Sequence, residues 1–123
     1  MKRDMDIIRL LLLQQESGED PPELEEYPIE LVVYNLALMI DAGFVEGTIV
    51  ADHEGSPAGA SIIRLTWAGH DFLDSTRDPT IWTKAKERVL KPGISWTFSI
   101  LVEFLKAEAQ RQFGSALGLP PAP

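Results

Sequence analysis

The spacing of apolar residues changes twice along this chain, and that change limits the folds open to it. Through residues 3–16, RDMDIIRLLLLQQE, Met5, Ile8, Leu11 and Leu12 recur at helical spacing, with Ile7, Leu10 and Leu13 widening the stripe. Residues 29–43, IELVVYNLALMIDAG, are apolar from Leu31 to Ile40 except at Asn35. At Phe44 the pattern switches. Phe44 to Ala51 and Ala60 to Leu65 are rich in Val, Ile and Thr, and the polar, turn-forming DHEGSPAG lies between them. After Leu65 helical spacing returns. The chain therefore reads as mainly α with a two-stranded β-hairpin, an α+β fold.

Local chemistry sets the expected boundaries. Asp4 and Asp6 suit the positive end of the first helix dipole, and Ser17-Gly18 ends that helix. Its wide stripe implies burial on more than one side. Residues 17–28, SGEDPPELEEYP, form an acidic connection in which Pro21-Pro22 prevents a regular helix. Pro28 fits the first turn of the second helix and Gly43 its left-handed end, and this helix is the expected centre of the core. The hairpin loop exceeds the favoured short turns, so a mobile tip is expected.

The stretch RLTWAGHDFLDSTRD, Arg64 to Asp78, gathers a Trp, a His, three Asp and two Arg in fifteen residues. A structural role accounts for it. Thr66 is a natural N-cap, and a helix from Trp67 to Thr76 puts Leu65, Gly69, Phe72 and Leu73 on one side. His70 with Asp74, and Asp74 with Arg77, then stand at pairing distance on the solvated face. Asp78-Pro79 opens the next helix, with Ile81, Trp82, Ala85 and Val89 inward and the bases outward, stopped by Lys91-Pro92-Gly93. Ser95 is the expected cap of a last helix over 96–113. That helix carries two stripes, Phe98/Leu101/Val102/Leu105 and Trp96/Ile100/Phe104, more apolar surface than a small core needs. A homodimer through it is therefore expected. Trp67, Trp82 and Trp96 each open a helix, so core packing is the expected role of all three. Residues 1–78 form the expected core, 79–113 the C-terminal helices, and 114–123 a flexible tail.

Composition removes whole classes of chemistry. The chain of 123 residues has no cysteine, which excludes disulfide frameworks, thiolate metal sites and cysteine nucleophiles and fits a reducing cytoplasm. The apolar run Ile7–Leu13 contains Arg9 and is too short to span a bilayer, and no signal-peptide cleavage pattern follows it. His53 and His70 are the only histidines. Asp52, His53 and Glu54 adjoin in an extended loop and point in different directions, so they do not make a metal site. Phosphate-binding Gly-rich loops, nucleophile elbows and HExxH are absent. No catalytic residue, cofactor or metal is expected, and the chain does not read as an enzyme.

Charge is unevenly distributed. The net −8 divides into −6 over residues 1–30, −5 over 31–78 and +3 over 79–123. Glu19, Asp20, Glu23, Glu25 and Glu26 on the connection, with Asp52 and Glu54 on the hairpin loop, are the candidate partner-binding residues. Lys84, Lys86, Arg88 and Lys91 form the one basic patch, the candidate nucleic-acid contact.

The element order of helix, helix, hairpin, helix resembles a winged helix with a C-terminal extension, and YNLALMIDAGFVEG followed by RLTWAGHDFLD resembles the end of a recognition helix, the wing and the helix after it in bacterial regulators. An "LT-x-x-G" turn is common in such proteins. MKRDMDIIR, LALMIDAGFVEG and RLTWAGHDFLDSTRDPTIWTKAK are similar to a family of uncharacterised bacterial and phage-borne proteins, catalogued as a domain of unknown function, whose members begin MKRDMDLIR and carry LTWEGHEFLD before a D-x-x-x-W segment. The resemblance covers about residues 1–90, with Ala68 where an acid is common. It implies a phage or prophage setting and a winged-helix-like fold, and no catalytic residue.

A winged helix implies DNA binding by analogy of fold. The residues oppose it. Residues 29–42 carry Glu30 and Asp41 but no Lys or Arg, and the loop has Asp52 and Glu54 without a base. Phosphate and guanine contacts both need cations. The expected function is thus a protein-interaction or regulatory module binding a host or phage protein, with a DNA-binding transcriptional regulator as the alternative.

Overall fold

Asp4, expected inside the first helix as an acid favoured by its dipole, is instead its cap: in the computed structural model, one carboxylate oxygen accepts the Asp6 amide at 2.9 Å and the Ile7 amide at 3.3 Å. Residues 1–91, 93 and 95–116 are described. The order is α1 (Met5–Ser17), a 3-10 turn (Pro22–Glu26), α2 (Ile29–Asp41), β1 (Val45–Ala51), β2 (Pro57–Leu65), α3 (Trp67–Ser75), α4 (Pro79–Arg88) and α5 (Phe98–Ala116). Over the described residues this is a mostly helical α+β chain with an antiparallel hairpin, in a winged-helix-like order. It divides into two compact units at Leu73 and Asp74.

In the first unit α1 is the buried helix. Met5, Ile7, Ile8, Leu11 and Leu12 are inside, Ile7 and Leu12 completely. The expectation that α2 forms the centre of the core is corrected: only Asn35, Ala37 and Met39 are buried along it. Its neighbours within the unit are α1 and the two strands. They cover one side and leave Leu31 to Tyr34 half-exposed.

Asn35, the polar break in that apolar run, has a structural task. Its side-chain oxygen accepts the Asp4 amide at 2.7 Å, and its Nδ2 donates to the Leu31 carbonyl at 2.9 Å and the Lys2 carbonyl at 3.4 Å. Asn35 is fully buried, and these bonds satisfy it. It ties the start of α1 to the middle of α2.

The hairpin is longer and its tip tighter than expected. β2 begins at Pro57, so only residues 52–56 connect the strands. A proline is tolerated at the first position of a strand. The Asp52 carboxylate accepts the amides of Glu54 and Ser56, both at 2.9 Å, and the Asp52 amide bonds the Ser56 carbonyl at 2.8 Å. The tip is an internally bonded turn rather than an open loop. Between Glu46↔Arg64 and Gly47↔Ile62 the register slips, leaving Ile63 as the extra residue of a bulge.

The LT-x-x-G element closes the unit. Gly43, at φ 77, turns the chain out of α2 in the left-handed region. The Thr66 hydroxyl donates to the Gly43 carbonyl and accepts the Gly69 amide at 3.1 Å, while the Thr66 amide reaches the Phe44 carbonyl at 3.0 Å. Gly69 is required because a Cβ there would overlap the Phe44 carbonyl oxygen. Phe44 and Phe72 stack with centroids 5.4 Å apart. The motif joins the exit of α2 to the start of α3.

In the second unit α4 packs on α5. Asp78 caps α4 through the amides of Thr80 and Ile81, and Ile81, Trp82, Ala85 and Val89 are buried as expected. Thr97, not Ser95, caps α5: its hydroxyl accepts the Ile100 amide at 3.3 Å. Helix α5 runs through Ala116, so 114–116 belong to it rather than to a tail, and residues 117–123 lie outside the described residues. Leu101 and Leu105 are fully buried, whereas Ile100 of the second stripe is exposed. Glu108 is 3% exposed, with Lys84 at 3.5 Å and Arg111 at 3.4 Å on its two oxygens.

Candidate functional site

The apolar residues that α2 does not bury form the floor of a groove in the first unit. Ile29, Val32, Val33 and Leu36 share one helix face, at positions i, i+3, i+4 and i+7. Leu11 of α1, Leu24 of the 3-10 turn, and Gly59 and Ala60 of β2 complete the apolar part of its lining. The cavity volume is ≈ 640 Å³, and the space is open to solvent. Ile29 is 67% exposed, so its side chain gains little from burial within the unit.

The rim is acidic. Asp20 and Glu25 border the groove, and none of its described lining residues is a base. The Gln14 side-chain amide donates to Asp20 at 2.6 Å. That neutral donor orients the carboxylate without cancelling its charge. Burial, then the charges of Asp4, Asp6 and Glu26, raise the Tyr27 phenol above its ordinary value, so it borders the groove as a neutral hydrogen-bonding group. Arg9 lies half-buried nearby. Burial lowers its guanidinium below the usual value, and Asp6 and Glu23 oppose that shift, so Glu23 acts partly on Arg9.

The candidate residues therefore separate. Glu19, Asp20, Glu23, Glu25 and Glu26 are all exposed on the segment from Gly18 to Tyr27, with Asp20 and Glu25 at the groove itself. Asp52 and Glu54 stand at the hairpin tip and do not line it. Asp52 holds the turn together, which accounts for its acid without a partner. In the basic patch, Lys84 is engaged with buried Glu108, leaving Lys86, Arg88 and Lys91 exposed.

A second surface was not legible as such in the sequence. Trp67 is 88% exposed, which corrects its expected core role, and bulged Ile63 is 74% exposed. The two border a shallow depression together with His70 and Arg64. Arg64 is already held by Glu46 through two bonds, at 2.7 and 3.1 Å. Trp82 is buried as expected, and Trp96 is half-buried ahead of α5.

Among the described residues no group of three or more His, Asp or Glu could hold a metal ion, and no helix is long and apolar enough to cross a membrane. Asp74 pairs with Arg77, just past the end of α3, at 2.7 Å, an ordinary exposed ion pair.

Comparison with known proteins matches residues 2–95 to a family described as "Hypothetical protein (DUF2513)". An "Uncharacterized protein" of Haemophilus influenzae is 33% identical over 96 residues, spanning 72% of this chain and 79% of that protein. No solved structure matches.

Proposed function

This chain belongs to the Hypothetical protein (DUF2513) family, and from that premise we propose that it is a non-enzymatic protein-interaction module of regulatory type, binding a host or phage protein through its first unit. One observation carries the reading: an open apolar groove bordered by carboxylates, with no base among its described lining residues. Such a surface attracts basic, partly apolar protein and repels a phosphate backbone. The helix in the recognition position, α2, uses its exposed face as the groove floor and has no Lys or Arg to offer a base edge. Ile100 of the second stripe and Phe113 near the end of α5 are both exposed, which supports a homodimer as part of the same proposal.

The test is a tagged capture from bacterial lysate with and without nuclease. A defined protein should remain after nuclease, and reversing the acidic connection (Glu19→Lys, Asp20→Lys and Glu25→Lys together) should release it. Recovery of nucleic acid alone, removed by nuclease and lost on Arg88→Glu with Lys91→Glu, would instead establish the DNA-binding alternative.

A further inference from the structure

The groove's dimensions and charge restrict what can occupy it. Ile29, Val32, Val33 and Leu36 span two turns of α2, about 10 Å along the axis. An apolar ridge of that length matches two turns of a second helix, whose own residues at i, i+3 or i+4, and i+7 cover the same distance. An occupant flanked by acids would bring like charges onto Asp20 and Glu25, where no lining base offsets them. Lys or Arg beside the apolar stripe would instead meet both carboxylates. Leu11 and Leu24 add apolar surface to the lining.

We infer that the groove between the 3-10 turn and α2 is a docking site for a basic amphipathic helix of a partner protein, seated with its apolar stripe on Val32, Val33 and Leu36 and its cations on Asp20 and Glu25. This rests on the interaction-module reading and gives its partner a chemistry. Specificity comes from stripe spacing together with charge, so charge alone does not suffice.

The probe is a fluorescently labelled Leu/Lys peptide with leucines at helical spacing, compared by anisotropy with a shuffled peptide of identical composition and a Leu/Glu peptide. The full-length protein should bind the first at least ~10-fold more tightly than the second, and the third not measurably. Ile29→Glu should weaken the first peptide by ~10-fold or more, and Asp20→Lys with Glu25→Lys should do the same. Ile29 is exposed in the first turn of α2, where an acid is compatible with the helix dipole, so that variant should keep its fold by circular dichroism. Equal binding of ordered and shuffled peptides, no binding of either, or full binding by Ile29→Glu overturns the inference. Should the Ile29→Glu protein still retain its lysate partner after nuclease while charge reversal releases it, the module reading survives and the groove does not.

Discussion

Helices α1 and α2 are both thirteen residues long and pack against each other, yet the one with the longer apolar run is the less buried. α1 hides five apolar side chains, Met5, Ile7, Ile8, Leu11 and Leu12. α2 hides Ala37, Met39 and one polar residue, Asn35, and presents Ile29, Val32, Val33 and Leu36 to the groove. An apolar residue gains stability only where another element covers it, and a small unit has few elements to offer. The surplus on α2 is therefore surface rather than core, and it is the face on which the proposed partner helix would sit. The Asn35 clasp fixes that surface in place, because it holds α2 to the start of α1 from the buried side.

Substitutions can break this contrast. Leu12→Ala, at a fully buried site in α1, should cost about 2–5 kcal/mol in urea unfolding. Asn35→Ala should cost about 1–3 kcal/mol by the same measurement, since it leaves the Asp4 amide without its acceptor. Amide hydrogen exchange should then quicken first at the N-terminal turn of α1. Leu36→Ala, half-buried on the groove floor, should cost only about 1 kcal/mol. A loss there equal to that of Leu12→Ala would make α2 the core helix after all. Ile29→Glu and Trp67→Ala, both at exposed sites, should each shift stability by less than about 0.5 kcal/mol. Of the two, only Ile29→Glu should impair peptide capture.

The same contrast explains what the sequence makes legible. Local rules locate the caps at Thr66 and Asp78, the acids at the start of α1, the left-handed Gly43, and the hairpin between helices, because each depends on neighbours within a few residues. The acids of the connection are likewise visible as composition. Burial is not local. Nothing near Asn35 in the chain announces a bond to Asp4, and nothing near Trp67 announces that its side chain points to solvent. The groove floor had one usable signal. A helix apolar from Leu31 to Ile40 needs cover on every side, and α1 with one hairpin supplies too little. Asp52 shows the opposite limit: in the sequence it is an acid on an exposed loop, and only the structure shows the two turn amides that it accepts. Thr97 displaced Ser95 as the cap of α5 because the helix starts at Phe98, two residues later than the stripe implied.

The most direct test of the docking surface is a methyl NMR titration of the Ile-, Leu- and Val-labelled protein with the ordered Leu/Lys peptide. Shifts concentrated at Leu11, Leu24, Ile29, Val32, Val33 and Leu36, and abolished by Asp20→Lys with Glu25→Lys, are the predicted result. Shifts centred instead on Ile63 and its neighbours on the hairpin, with the α2 methyls unmoved, would contradict the account and move the binding surface to the exposed Trp67.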